Sequence, residues 1–146
     1  MHFRPLTPVL ILVSLALSPT TIGQVTATRV HTADLERTPF AAGALKITIT
    51  QFRGSFLKIG SGSVEVQVVN TASEFTSFSP HKLSFLGNNN NQADILAIQS
   101  GDHYWPAQER RIAPGASTKE FFALNAKVRL PARLYYDEKL LAEIVE

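Results

Sequence analysis

The residues of this 146-residue chain that could bind metals or form catalytic sites are not arranged in known motifs. It contains no cysteine, which excludes thiolate ligands, cysteine nucleophiles and disulfides. A zinc or copper site built from His81, Asp102 and His103 is conceivable. These residues lack the paired spacing of known metal motifs, such as His-x-His, so exposed loop histidines are the favoured interpretation. We predict no bound metal and no other cofactor.

The serines and acids are not arranged for catalysis either. No serine lies in the Gly-x-Ser-x-Gly turn that exposes the nucleophile of α/β-hydrolases. Residues 60–63 (Gly-Ser-Gly-Ser) lack the Gly-Lys-Ser/Thr ending and the following helix of a phosphate-binding loop. The neighbouring acids, such as Asp137 and Glu138, have the character of solvated surface residues. The sequence therefore predicts a protein that is not an enzyme.

One segment concentrates side chains that suit binding to another molecule. Residues 100–106 (Ser-Gly-Asp-His-Tyr-Trp-Pro) contain an acid, an imidazole and two large aromatic rings, and two arginines follow soon after. Aromatic faces stack on sugars, and Arg guanidinium groups pair with carboxylates. The predicted binding residues are Asp102, His103, Tyr104, Trp105, Arg110 and Arg111. We expect Tyr104 and Trp105 to be the anchors; the alternative is an ordinary surface at one end of the fold.

The charge of the chain indicates which partners to expect. Its 14 Lys and Arg residues and 12 Asp and Glu residues give a formal net charge of +2, which is close to balance. Nucleic-acid binding requires clustered basic residues, and the charge here is not evidence for it. The expected partner is a protein or a glycan of the cell envelope, and no nucleic acid.

The N-terminus has the organisation of a secretory signal. His2 and Arg4 give a positive start, an uncharged apolar run follows at residues 9–17, and small residues precede a cleavage position before Gln24. Nine apolar residues are too few to span a bilayer, which needs about 20. We predict a signal peptide over residues 1–23, a secreted or periplasmic protein, and no stable membrane span after cleavage. An uncleaved anchor is the alternative.

Alternation of apolar and polar residues predicts strands through the rest of the chain. The clearest is residues 63–70 (Ser-Val-Glu-Val-Gln-Val-Val-Asn), where three valines share one face of an extended chain. Further strands are predicted at residues 44–52, 82–86, 93–99, 118–124, 132–136 and 139–145, with a brief pairing at residues 108–112. Asparagines at 88–91 favour a turn that makes 82–86 and 93–99 a hairpin. The last two strands form a hairpin whose loop is expected to exceed two residues, because Asp137-Glu138 lacks glycine.

These segments predict an all-β protein: an antiparallel, immunoglobulin-like β-sandwich of seven to eight strands over residues 44–146. The expected core consists of Val64, Val66, Val68, Leu83, Phe85, Ile98, Phe122 and Leu134. Residues 24–43 are expected to form a linker or a loose edge strand. Residues 71–80 are interpreted as a crossing loop whose Phe75 and Phe78 close the end of the core. A helix over residues 137–146 is the competing local interpretation, because its residue types favour helices.

The order of these motifs resembles that of a known group of domains. The motifs are the valine strand at 63–70, the strand around Phe85, the Pro-Gly turn at 112–116 before Phe121-Phe122, and the final Leu-Tyr-Tyr strand at 134–136. The chain resembles, over about residues 44–145, the immunoglobulin-like sandwiches of small bacterial exported proteins of unknown function. That group is related to secreted mycobacterial antigens and telomere-protein-like domains. The resemblance implies a fold and an exported location, and it supplies no catalytic residues.

The sequence supports three function hypotheses of different classes. The first is an exported, non-catalytic binding or accessory module of the bacterial cell envelope that acts through its end loops. The second is an extracytoplasmic proteinase inhibitor, because a similar order of elements occurs in a bacterial intracellular proteinase inhibitor family. The third is a metal-binding carrier or enzyme that uses His81 and His103. We expect the first.

Overall fold

The structure, a computed structural model, describes residues 28–53 and 62–146. The predicted signal sequence and its cleavage position lie outside these residues. Strands dominate the described residues, and the all-β class is confirmed. Within these two ranges no helix has the length and apolar character needed to cross a membrane.

Twelve strands and two short 3-10 helices make up the described part of the chain. The strands are β1 (Thr28–His31), β2 (Phe40–Ala42), β3 (Leu45–Arg53), β4 (Ser63–Asn70), β5 (Thr76–Phe78), β6 (Leu83–Leu86), β7 (Gln92–Ser100), β8 (His103–Trp105), β9 (Arg110–Ile112), β10 (Ser117–Leu124), β11 (Ala132–Tyr136) and β12 (Lys139–Val145). The 3-10 helices are Thr32–Arg37 and Pro80–Lys82.

The strands predicted from clear alternation are confirmed. β4, β11 and β12 have the predicted bounds, because alternation of branched and polar side chains is a local property that favours a half-buried strand. The helix considered for residues 137–146 is wrong, since β12 pairs with β11. The longer loop expected there is also wrong: Asp137 and Glu138 both take positive φ values (48° and 67°) in a two-residue turn.

The number of strands exceeds the seven to eight predicted. The additional strands, β1, β2, β5 and β8, have three or four residues each, which is too short for alternation to reveal them. β9 lies within the brief pairing predicted at residues 108–112. β8 lies within residues 100–106, which were predicted to be a loop. It is a strand because its three residues pair with the end of β7.

Ten of the strands form one continuous sheet. Its order is β1–β12–β11–β6–β7–β10–β4–β3–β2, and β8 joins the end of β7. All the pairs are antiparallel except β1 with β12, which is parallel. β5 and β9 form a separate two-stranded sheet.

The long sheet curls until its two halves enclose a common core. Phe52 on β3 and Phe85 on β6 are four strand positions apart in the sheet, yet their ring centroids are only 5.5 Å apart. β7 is the strand at which the halves join, since its first residues pair with β6 and its later ones with β10. The structure is therefore a curled sheet with the shape of a half-barrel, where a sandwich of two sheets was expected.

The predicted core is correct in all but one position. Seven of the eight residues are at most 1% exposed, and Ile98 is only partly buried at the margin of the core. Phe78 is buried as expected, but Phe75 is 56% exposed, so its predicted place in the core is wrong. Phe75 precedes β5 in an irregular segment, and its ring lies against the Arg111 guanidinium.

Residues 28–42 also contribute to this core. Val30 on β1, Leu35 in the first 3-10 helix and Phe40 on β2 are all buried within it. β1 and β2 are the two edge strands of the long sheet. β2, at one edge, lies close to β12, which is next to β1 at the opposite edge. The segment expected to be a linker or a loose edge strand therefore lies against both ends of the sheet.

Candidate functional site

The predicted anchors lie on β8, at the end of the sheet formed by β7. Gly101, with a φ of 59°, turns the chain between Ser100 and His103, so that β8 runs back along β7. Tyr104 pairs with Gln99 and Trp105 pairs with Ile98. Tyr104 is 44% exposed and Trp105 is 50% exposed. Two large aromatic side chains are thus held by backbone pairing while about half of each remains in solvent.

The register places Trp105 at the open end of a row of core residues. Val64, Phe122, Ile98 and Trp105 lie side by side across β4, β10, β7 and β8. Directly paired residues point to the same face of a sheet, so Trp105 continues the inner face that Phe122 occupies. Burial decreases along the row, from Phe122 through the partly buried Ile98 to the half-exposed Trp105. Trp105 is therefore an apolar extension of the core that nothing in the described residues covers fully.

The two polar members of the predicted loop accompany these rings. Asp102 and His103 are both exposed, Asp102 in the turn and His103 as the first residue of β8. The rings of His103 and Trp105 are tilted to each other, with centroids 5.9 Å apart. His103 thus lies beside the Trp105 ring.

The two predicted arginines lie on another sheet. Arg110 and Arg111 begin β9, which pairs with β5 rather than with β7 or β8. Arg110 forms an ion pair with Glu120 of β10, a residue that shares the core-facing side of the sheet with Val66. The Arg111 guanidinium lies over the Phe75 ring, 4.8 Å from its centroid. Both arginines thus have contacts within the protein, separate from the aromatic pair on β8.

One exposed apolar residue near the anchors was not singled out from the sequence. Leu96 on β7 is 55% exposed, where the pairing of β7 with β10 shifts by one residue. Ile95 and Leu96 are consecutive, so only one of them can face the core, and Ile95 is the buried one. Two consecutive large apolar residues in a predicted strand indicate that one of them is exposed, and this pattern could have identified Leu96 from the sequence.

The histidines do not converge on a metal site. In residues 28–53 and 62–146, no group of three or more His, Asp and Glu side chains could hold a metal ion. His81 follows β5, and its Nε2 atom is 2.9 Å from the backbone oxygen of Ala107. His103 is beside Trp105. The histidines of the third function hypothesis therefore have separate local roles.

The chain was compared with protein-family models, curated proteins and solved structures, and none of the three comparisons gave a match.

Proposed function

We propose that this protein is an exported, non-catalytic binding module of the bacterial cell envelope, and that it binds a partner protein through β7 and β8. The observation that supports this binding site is the distribution of exposed apolar side chains. In the described residues, four large hydrophobic side chains are exposed, and three of them are Leu96, Tyr104 and Trp105. We call these three residues the β8 patch. Tyr104 and Trp105 are consecutive on β8, so the patch extends around this edge strand, with Tyr104 on its outer face and Trp105 on its inner face. The fourth, Phe75, is held against Arg111.

The chemistry of the β8 patch favours a protein partner. Tyr and Trp combine a large apolar area with few rotatable bonds, and they are over-represented among residues that contribute most to interface energies. β8 pairs only with β7 in the described part of the sheet, so its other edge presents backbone donors and acceptors. An extended segment of a partner could pair with this edge and place an apolar side chain against Trp105.

The wider proposal combines this surface with the sequence. The charged start and apolar run of residues 1–23 support export. The residue types argue against catalysis, and the exposed aromatic pair supports binding. We also propose that the two halves of the curled sheet correspond to the two sheets of an immunoglobulin-like sandwich. The Phe52–Phe85 contact supports this idea, because it joins the two inner faces across the core.

The binding site can be tested with a double variant and a matched control. Tyr104→Ala combined with Trp105→Ala should reduce capture of the partner from an envelope extract by about 30-fold or more, since hot-spot residues contribute at least about 2 kcal/mol. Phe75→Ala removes an equally exposed aromatic ring outside the β8 patch and should leave capture unchanged. Circular dichroism of the three proteins would show whether the fold is retained.

Trp105 also provides a direct signal, because it is the only Trp in the chain. Binding should shift its fluorescence emission to shorter wavelength and protect it from acrylamide quenching. If the double variant captures the same proteins as the wild type, or if Phe75→Ala is equally defective, the assignment of the site to the β8 patch is wrong. Export is tested separately, by fusing residues 1–27 to a reporter enzyme that is active only outside the cytoplasm.

A further inference from the structure

A cleft on the outer face of the sheet contains a second set of binding groups. It has a volume of about 610 Å³ and lies over β6, β11 and the first half of β7. Small-ligand sites have volumes of about 300–1,000 Å³, so the space suits a ligand of that size. Leu134 points from the other face of the sheet into the core, whereas Phe85 and Leu86 are among the residues that line the cleft.

Strand register forms the floor of this cleft. Tyr135 on β11 pairs with Ser84 on β6, and Ser84 pairs with Asp94 on β7. The three side chains therefore form a row across three strands on the outer face. Gln92 lies beside the row, and its Nε2 atom donates to both oxygens of the Asp94 carboxylate, at 3.0 and 3.3 Å. The floor thus combines an aromatic ring with hydroxyl, amide and carboxylate groups.

Two connected turns form one end of the cleft. Lys82 ends the second 3-10 helix, and Asp137 and Glu138 form the turn between β11 and β12. The backbone N–H of Asp137 donates to the carbonyl oxygen of Lys82 at 3.0 Å, and the Lys82 ammonium is 3.6 Å from the Asp137 carboxylate. These contacts hold the two turns together, so the end of the cleft is built before any ligand arrives.

The charges around the cleft define the class of ligand. Three carboxylates, those of Asp94, Asp137 and Glu138, line it together with the ammonium of Lys82 and the imidazole of His81. They do not converge closely enough to hold a metal ion, so they suit a ligand with several separate polar groups. An acidic ligand would be repelled by this excess of negative charge, whereas an amine would form charge-assisted hydrogen bonds.

We propose that this cleft binds a saccharide that carries free amino groups, such as an oligomer of glucosamine. One sugar ring stacks its C–H face on Tyr135, and its hydroxyl groups exchange hydrogen bonds with Ser84, Gln92 and Asp94. An amine of the ligand is paired with a carboxylate of the cleft. A lysine side chain of a peptide fits less well, because it brings one amine and no hydroxyl groups for Ser84 and Gln92.

The experiment compares two probes that differ only in the amine. The purified protein is titrated calorimetrically with a β-linked glucosamine trisaccharide and with its fully N-acetylated form, at low salt and mildly acidic pH. The free-amine form should bind about tenfold more tightly, because a charged hydrogen bond is worth about 1.4 kcal/mol more than a neutral one. Its affinity should fall as salt is added.

Three variants locate the binding, and one serves as a control. Asp94→Asn keeps the shape of the side chain but removes its charge, and should weaken binding of the free-amine trisaccharide by about tenfold. Tyr135→Ala should also weaken it, whereas Tyr135→Phe keeps the ring and should retain most of the affinity. Glu36→Gln removes the charge of an exposed carboxylate outside the cleft and should have no effect.

Several outcomes would overturn the inference. They are equal binding of the two trisaccharides, no binding of either, or tighter binding of a polygalacturonate. A lysine-rich peptide that binds more tightly than the free-amine trisaccharide, with the same dependence on Asp94, would show that the cleft recognises peptides instead. The β8 patch is not involved in this test, so its result is independent of the proposed protein-binding function.

Discussion

Asn70, the last residue of β4, is a completely buried amide that joins three segments of the chain. It is 0% exposed. Its Nδ2 group donates to the carbonyl oxygens of Glu74 at 2.7 Å and Ile112 at 2.9 Å, and its Oδ1 atom accepts from the backbone N–H of Ala72 at 2.9 Å. One side chain therefore fixes the connection after β4 and the end of β9. We predict that stability depends strongly on this residue.

The cost of Asn70→Ala follows from these contacts. Two of the three backbone partners, in Ala72 and Glu74, are in half-buried positions, so water can replace the lost hydrogen bonds at about 1 kcal/mol each. The third partner, the carbonyl of Ile112, is buried and would be left unsatisfied at a cost of about 1–3 kcal/mol. We expect Asn70→Ala to lower the free energy of unfolding by about 3–5 kcal/mol, a large share of the stability of a typical domain.

Asn70→Asp keeps the shape but reverses the chemistry. A carboxylate cannot donate to the two carbonyl oxygens, and burial beside them would raise the pKa of the new acid above its unfolded value of about 3.9. Because its pKa is higher in the folded state, the new carboxyl group contributes most to stability below about pH 3.9. This contribution is lost as pH rises through the folded pKa. The free energy of unfolding of this variant should therefore fall further below that of the wild type at neutral pH than in acid.

Urea unfolding followed by Trp105 fluorescence and circular dichroism measures these effects. Asn125→Ala is the matched control, because the Asn125 side chain makes one exposed hydrogen bond, from the backbone N–H of Asp94 at 2.9 Å. It should cost about 1 kcal/mol or less. A loss below about 1 kcal/mol for Asn70→Ala, or a deficit of Asn70→Asp that does not change with pH, would refute this account of the buried amide.

Two further predictions concern the β11–β12 hairpin. Burial raises the pKa of the Tyr136 hydroxyl, although a hydrogen bond from the Ser79 N–H opposes the change. The free energy of unfolding should therefore fall as pH rises above about 10, and this fall should be smaller in Tyr136→Phe. Urea titrations over this pH range measure the effect in both proteins. Parallel pH profiles of the two proteins would contradict the prediction. Glu138→Gly should raise the free energy of unfolding by about 0.5–1 kcal/mol, because the φ of 67° strains a residue with a Cβ. Thermal unfolding would measure the gain, which Glu138→Ala should not reproduce.

Local patterns were sufficient to predict most of the long strands. In β4 the alternation of three valines with Glu65 and Gln67 determines both the strand and its buried face. β11 and β12 were found for the same reason, because a strand with one buried face carries its periodicity in its own residues.

The pairing of short strands could not be predicted in this way. β8 has three exposed residues, so no alternation marks it, and it exists because the Gly101 turn brings it to the end of β7. β1 pairs in parallel with β12, more than a hundred residues later in the chain. The curl of the sheet likewise depends on contacts between distant segments, such as Phe52 with Phe85.

In the candidate sites, too, features of adjacent residues could be predicted from the sequence, whereas contacts between distant segments could not. The sequence singled out Tyr104 and Trp105 as neighbours on one segment, and the structure shows both side chains about half exposed. It could not show that Arg110 pairs with Glu120, or that Arg111 covers Phe75. The groups of the cleft come from three strands, and alternation predicts which of them point outwards. Only the register between the strands shows that they meet.

β7 connects the two proposed sites and explains how they can act together. β6 pairs with its first three residues and β8 with its last three, so the strand supports the cleft at one end and the β8 patch at the other. Asp94 and Ile98, the partner of Trp105, are four residues apart, which is about 13 Å along a strand. Asp94 and Tyr104 point to the outer face and Trp105 to the inner one, so it is this distance along β7 that separates the two sites. A saccharide in the cleft and a protein on the β8 patch would therefore not compete for space, and one continuous strand would hold both.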